Sequence, residues 1–406
     1  MKEKYIKFPI AVKRGCGMDV HKDTVVVTIM GEGLRTQTRS FKTFTNSLVK
    51  LKKWLKKHNI THIAIESTGV YWKPIFNVMG DEFELLLVNA RHVKNVPGHK
   101  TDKKDSRWLA KLLLSGLLKA SFIPERTIRE LRELTRYKTK LTQQITSEKN
   151  RFLKVLEDAN IKLSSVLNDV FGVTGTKIID HILSTEDYKP EELLQHVHGR
   201  VKASGEEIKE ALTGYITEHH RFMLEMIRTQ ISKIEETITK LEEKIDEKVA
   251  PYGKEVELLM SIPGVGRDGA IRIISEIGTD MSRFPSEKHL ASWAGVCPGS
   301  NESAGKNKSG RITYGNKYLR SLLVECGWAA SRTKGTYFNA KYKSLVGRRG
   351  KKKTIIALGH KILIASYFII KDKVAYKELG EDHLNNFRRD RLIAYYQQQL
   401  ERLMSA

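Results

Sequence analysis

The chain has 406 residues, room for two or three domains, and a formal net charge of +24 from 71 Lys and Arg against 47 Asp and Glu. Positive charge of that size, spread along the chain, attracts a polyanion: nucleic acid first, an anionic membrane surface second. Three cysteines, Cys16, Cys297 and Cys326, form no CxxC pair. That speaks against a disulfide frame or a cysteine zinc site and for a reducing, cytoplasmic setting.

The opening MKEKYIKFPIAVKRG holds no apolar run of secretory length. RGCGMDV and TVVVTIM then read as two strands joined by a turn at HKD, and LRTQTRSFKTF as a third, antiparallel to them. TNSLVKLKKWLKKHN has helical spacing at Leu48, Leu51 and Leu55, with Thr45 or Asn46 as its cap. THIAIESTG is a fourth strand, VYWKPIFNVMG a helix and FELLLVNA a fifth strand, which together make a mixed α/β sheet.

This order places Asp19 near the end of the first strand and Glu66 near the end of the fourth. After a polar stretch, ARHVKNVPGHK, a helix opens at TDKKDSRWLAKLLLSGLL, with Asp102 and Asp105 three residues apart on one face. Open α/β sheets build their sites at strand ends beside turns. A carboxylate inside an apolar strand is costly unless it is paired or ligated; Lys22, His21 or Lys73 could pair with these two acids, and so could a metal. Several carboxylates would hold a pair of divalent ions about 3.5–4 Å apart, the arrangement that stabilises attacking and leaving oxygens in phosphodiester chemistry. Mg²⁺ suits such hard oxygen ligands, and Mn²⁺ could replace it.

GMDVHKD, IESTGVYW and VNARHVKNVPGHKTDKKDS, together with SIPGVG and ESAGK further on, resemble the DEDD-type insertion-sequence transposases over about residues 14 to 330. The resemblance implies a RuvC/RNase H-like domain with Asp19, Glu66, Asp102 and Asp105 as its four acids, and a separate transposase domain bearing a catalytic serine. It also implies recombination of donor and target DNA guided by a noncoding bridge RNA, and a homo-oligomer, a dimer or a tetramer.

ERTIRELRELTRYKTKLTQQITSEKNRFLKVLEDAN has no Gly or Pro and reads as one long amphipathic helix. Arg129, Arg132 and Arg136, with Arg126, Lys138 and Lys140, are either a solvated face or a basic rail along a phosphate backbone. Residues 160–220 read as short helices with Gly-containing turns. Their histidines, His196, His198, His219 and His220, lack a convincing metal spacing and are read as surface or RNA-facing residues, with ordinary packing the first assignment. Leu224, Ile227, Ile231, Ile234, Ile238, Leu241 and Ile245 form a heptad seam that could pair with the 126–159 helix or between chains.

ELLMSIPGVGRDGAIRIISEIG carries the helix-hairpin-helix pattern, with Gly264 and Gly266 allowing a tight turn and a helix N-terminus that can meet a phosphate; an ordinary αα-hairpin would look the same. Between Gly295 and Gly315 the chain is rich in Gly, Ser, Asn and Lys and reads as a functional loop, with Lys306, Lys308, Arg311 and Lys317 attracting phosphate. The resemblance singles out Ser303 as the nucleophile: Pro298 stands five residues before it, and Ala304, Gly305 and Lys306 follow. Ala304 stands where the family more often has Gly; Ser300 and Ser309 are neighbouring competitors. Beyond the basic cluster at 341–353, TIIALGHKILIASYFII is broken by His360 and Lys361 and reads as a core helix, with no membrane partner.

The expected organisation is a DEDD domain at 1–125, a helical, coiled-coil linker and oligomerisation region at 126–250, a transposase domain at 251–340 and a basic helical extension at 341–406. The expected function is a Mg²⁺-dependent transposase with a phosphoserine intermediate. A hydrolytic RuvC-like junction resolvase and a non-enzymatic architectural nucleic-acid binder are the rivals.

Overall fold

The computed structural model describes residues 11–66, 69–88, 102–118, 120–199, 201–299, 302–303, 306–307 and 310–404. The chain divides into two compact units, Met1–Ile123 and Pro124–Ala406.

The first unit is built on a five-stranded sheet of β1 (Arg14–Val20), β2 (Thr24–Gly31), β3 (Gln37–Lys42), β4 (His62–Glu66) and β5 (Glu84–Val88), in the order β3-β2-β1-β4-β5. β1, β2 and β3 form an antiparallel meander, while β4 pairs parallel to β1 and β5 parallel to β4. The expected α1 (Thr45–Lys57) and α2 (Trp72–Met79) are present, and α3 (Asp102–Leu114) follows β5. The cap expected at Thr45 or Asn46 is not. Thr45 is already helical, and the N-cap position is Phe44, whose side chain cannot accept a hydrogen bond.

The two faces of the sheet differ in composition. Cys16, Met18, Val20, Val25, Val27, Ile29, Ile63 and Ile65 point to one side, where they pack with Leu48, Leu51 and Leu55 of α1 and Ile75 and Met79 of α2. Alternation sends Gly15, Gly17 and Asp19 to the other side, under α3. There a Cβ on Gly15 would lie 2.9 Å from the Leu113 side chain, and one on Gly17 would lie 2.1 Å from the Ser106 carbonyl oxygen. β1 is therefore buried on both faces, and its alternation of large and absent side chains tells the two apart.

The second unit is helical. α4 (Arg126–Asp158) is the single long helix expected. Short helices follow, α5 (Leu163–Val166), α6 (Val173–Ser184), α7 (Pro190–Leu193) and α8 (Gly205–Leu212), and the second long helix is α9 (Glu218–Val249). Of the alternatives for the heptad seam, the structure takes the one within the chain: α9 lies antiparallel on α4. Lys248 pairs with Glu130 at 2.7 Å, Lys138 with Glu242 at 2.8 Å, and His220 with Asp158 at 3.0 Å, so numbering runs up one helix as it runs down the other. Leu224, Ile227 and Ile231 close the core with Phe152 and Leu156 and the short helices. Removing buried methylenes leaves a cavity as well as losing transfer energy, so Ile227→Ala should cost roughly 2–4 kcal/mol. The check is chemical denaturation across a range of protein concentrations: a midpoint that drifts with concentration would show that the seam is made between chains instead.

Beyond α9 come α10 (Gly253–Met260), α11 (Arg267–Ile277) and α12 (Glu287–Ala294), then a ribbon of β6 (Glu302–Ser303) and β7 (Lys306–Asn307). α13 (Lys317–Arg332), α14 (Tyr337–Arg349), α15 (Lys351–Asp372) and α16 (His383–Met404) complete the chain. α15 is the most apolar helix, and it packs as the core helix expected: Ile355, Leu358, Ile362, Leu363 and Ile370 are each at most 1 % exposed.

Candidate functional site

Two of the four predicted acids lie at the ends of adjacent parallel strands. In the parallel register of β1 and β4, Gly17 lies beside Ala64 and Met18 beside Ile65, the last pair of the ladder; Asp19 and Glu66 are the next residues along the two strands. Neighbouring strands are about 4.8 Å apart and partners in register share a face. The face is the one under α3. Gly15 lies under Leu113, and Gly17 under Ser106, Leu109 and Ala110, so β1 runs toward the N-terminus of the helix as α3 runs away from it. One more two-residue step along β1 leads from Gly17 to Asp19, in the direction of the N-terminal end of α3, whose Asp105 is half-buried. Asp102 is the first residue of α3; its side chain lies outside the described residues, as do all of residues 89–101.

Asp19 is 6 % exposed, and its Oδ2 lies 3.3 Å from the Nε2 of the half-exposed His21, one of the partners the sequence suggested. Below the acids a hydroxyl chain ties α3 to the sheet. Thr28 Oγ1 lies 2.8 Å from both Ser106 Oγ and Thr38 Oγ1, and Ser106 and Thr28 are fully buried. Neither Ser106 nor Gly17 was singled out in the sequence. The signal was there in GCGMDV, where two glycines two residues apart on a strand mark a close approach by another backbone. Burial pushes the Cys16 thiol, on the opposite face, far above the ordinary range, which leaves no thiolate there.

The donors here are carboxylate oxygens, the ligand type a hard divalent cation selects. Among the described residues no group of three His, Cys, Asp or Glu side chains closes on one point. The fourth carboxylate, that of Asp102, is outside the described set.

The predicted serine lies on a β-ribbon rather than an irregular loop. Gly299 N donates to Arg311 O at 2.9 Å and Thr313 N to Cys297 O at 3.0 Å, and further out Ser303 pairs with Lys306 and Glu302 with Asn307. Two glycines make the base. A Cβ on Gly315 would sit 2.3 Å from the Gly295 nitrogen, so the two strands enter and leave in direct backbone contact. The side chains of Ser303 and Lys306, and all of Ser300, Lys308 and Ser309, lie outside the described residues. Arg311 is exposed on the returning strand. Cys297, the thiol at the ribbon base, is pushed up by partial burial.

α10, the turn at Ser261–Gly266 and α11 form the expected helix hairpin. Gly264 has φ +85° and rests on α13, where a Cβ would meet the Ala330 nitrogen at 2.4 Å. Gly266 caps α11 with open space where a Cβ would be, which leaves its approach clear. The first turn of α11 already holds a carboxylate, Asp268, bound by Lys138 at 2.9 Å.

The basic rail expected on α4 is corrected at two positions. Arg132 and Arg136 turn inward, onto Glu276 of α11. Arg136 Nε and Nη2 donate to Glu276 Oε1 and Oε2 at 2.7 and 2.8 Å, and Arg132 donates to the Ser275 and Glu276 carbonyls at 2.9 and 2.7 Å. Burial lowers the Arg132 pKa to about 10, and Glu276 opposes that shift. Arg129 is half-buried. Glu276 was missed, although a carboxylate in the apolar run IRIISEIG is a marker for a buried partner.

An acid-ended mixed sheet followed by a helical unit with a helix hairpin and a Ser-bearing ribbon is the layout of a DNA-processing enzyme. A family profile for DEDD transposases of the IS110 type matches residues 16–161, and one described as transposase, IS116/IS110/IS902 family, matches residues 256–343. The chain belongs to the IS110 family of transposases and is a DNA transposase-recombinase. It is 24 % identical to the pilin gene-inverting protein of Moraxella bovis over 87 % of this chain and 95 % of that one. It is 25 % identical to the pilin gene-inverting protein of Moraxella lacunata over 81 % of this chain and 88 % of that one.

Proposed function

We propose that the chain cuts and rejoins DNA by a serine route at a metal site of a RuvC-like domain. The observation that supports the reading is the parallel ladder of β1 and β4, which ends one residue short of both Asp19 and Glu66, on the face that α3 covers. Asp19, Glu66, Asp102 and Asp105 would hold Mg²⁺, two ions in the fullest form, with Mn²⁺ as a substitute. Such ions supply Lewis-acid stabilisation of charge on the scissile phosphate and its two apical oxygens.

Ser303 Oγ attacks the phosphorus, its proton passing to a base or to solvent. The Oγ–P bond forms, the bond from phosphorus to one deoxyribose oxygen breaks, and that oxygen leaves as a hydroxyl after taking a proton. A hydroxyl of the incoming strand then attacks the phosphoserine and releases the serine, so phosphodiester bonds are conserved without a high-energy cofactor. The route needs the serine and the carboxylates at one phosphate, within one chain or between copies in a dimer or tetramer. Lys306, Lys308, Arg311, Arg129 and the Gly264–Gly266 hairpin would contact the phosphate backbone, and a noncoding guide RNA would select donor and target by base pairing, leaving the protein to read shape and charge.

The test is adduct trapping. The full-length protein is mixed with DNA carrying its element ends, with the copurifying RNA and with Mg²⁺, denatured, and resolved for covalent protein–DNA species. The expected result is a metal-dependent adduct on Ser303 that Ser303→Ala abolishes. Continued cutting by Ser303→Ala without any adduct would mean that water is the nucleophile, as in a junction resolvase. Undiminished recombination by Asp102→Asn would reduce the acids to a structural role.

A further inference from the structure

Glu276 is a carboxylate only 3 % exposed, and three elements meet on it. Arg136 of α4 binds it through two parallel hydrogen bonds, and Arg132 Nε lies 3.4 Å from its Oε2. From the other side Asn316 Nδ2 donates to Oε2 at 2.5 Å. Asn316 directly follows Gly315, the residue packed against Gly295 at the ribbon base. Its amide works in both directions, since Oδ1 also accepts from the Tyr318 and Leu319 nitrogens and caps α13. The Arg136 guanidinium further stacks over Tyr318, 4.5 Å from its ring centre.

We propose that Glu276 is a positioning residue for catalysis: through Asn316 it straps the base of the Ser303 ribbon to the Arg132–Arg136 pair of α4. The proposal rests on the reading of Ser303 as nucleophile. A two-stranded ribbon has little core of its own, so its direction is set where it is rooted. The roots are Gly295, which ends α12, and Gly315–Asn316, which starts α13. A charge-assisted hydrogen bond at that root holds direction better than a neutral one, and a small error at the root grows along the ribbon toward Ser303.

Asn316→Asp keeps the α13 cap but places a carboxylate against Glu276. Glu276→Gln keeps the shape and removes the charge. The double variant Glu276→Gln/Asn316→Asp exchanges amide and acid, so the hydrogen bond and one counter-charge for the arginines return. In the full-length protein, below the melting temperature of the weakest variant, each single change should slow Ser303 adduct formation at saturating DNA by roughly 100-fold, the cost of misplacing a reacting group by about an ångström. DNA affinity should stay the same, and the double variant should recover to within about ten-fold of wild type, the coupling expected of residues in contact. If Glu276→Gln does not fold, Asn316→Ser, which retains a capping hydroxyl and cuts only the strap, replaces it. Wild-type adduct rates in the folded single variants, or a double variant slower than either, would overturn the proposal. Ser303→Ala run in parallel separates the two ideas: an adduct that persists there defeats the serine reading, whereas its loss beside undiminished strap variants defeats the strap alone.

Discussion

Asp19→Asn should reduce strand cleavage by roughly 10²–10³-fold while leaving DNA affinity and folding intact. That factor is the usual cost of removing one preorganised electrostatic contact to a transition state. Asn matches Asp in shape, so β1 and its pairing with β2 and β4 have no steric reason to move. The charge is what changes. Asp19 is 6 % exposed, Glu66 follows the last ladder pair on the adjacent strand, and on the proposed reading Asp105 of α3 joins them at the metal site. Carboxylates crowded in this way repel one another when no cation is bound. Neutralising Asp19 should therefore leave the metal-free melting temperature unchanged or raise it, and the rise in melting temperature on adding Mg²⁺ should shrink. The ion pair with His21 makes the opposite prediction. If Asp19 serves mainly to hold His21 at 3.3 Å, the Asn variant melts lower and its cleavage rate follows its folded fraction. Melting curves with and without Mg²⁺, read beside cleavage rates, distinguish the two.

What could be read in the sequence, and what could not, follows from the range of each interaction. Strand alternation and helical period are local, so the five strands, the long α4 and the heptad spacing of α9 were all visible in the chain. Where a face is directed is not local. Heptad spacing cannot say whether Ile227 meets its own chain or another, and it took the fold to place it against α4. A row of arginines looks alike whether it faces solvent or a buried acid; the partner of Arg132 and Arg136, Glu276, lies 144 and 140 residues away in sequence. The acids were found by type and order through the family resemblance, and their nearness was a conjecture. Two features of the fold bear on it, the parallel register of β1 with β4 and the bare backbone of Gly17, and only the second had a trace in the sequence. The stretch around Ser303 was read from its composition as a polar, functional loop. Its ribbon pairing was hidden because strands of two residues carry no periodicity.

Gly17 leads to the second large effect, and its neighbour Gly15 supplies the control. Both glycines point at α3. A Cβ on Gly15 would meet side chains alone, the flexible end of Leu113 at 2.9 Å and Leu114 at an ordinary 3.5 Å, so Gly15→Ala should cost about 1 kcal/mol or less. A Cβ on Gly17 would meet backbone: the Ser106 oxygen at 2.1 Å, the Ala110 nitrogen at 2.5 Å, and the Leu109 Cβ at 2.9 Å. No rotamer relieves that, and the helix itself has to lift. Lifting α3 stretches the buried Ser106–Thr28 hydroxyl contact of 2.8 Å and opens space beneath Leu109 and Ala110, both fully buried. Gly17→Ala should accordingly destabilise the first unit by roughly 2–3 kcal/mol or more, in the upper range for overpacking, and lower its melting temperature by roughly 10 °C or more. Because Asp105 rides on the same helix and Asp19 stays on the strand, the variant should also lose roughly 100-fold in cleavage at temperatures where it is still folded. The comparison is sharp because the two glycines are two residues apart on one strand and face the same helix. Equal effects from the two alanines, or a Gly17→Ala protein that melts low but cuts at the wild-type rate, would show that the closeness of α3 to the sheet matters for stability alone and does not set the distance between the acids.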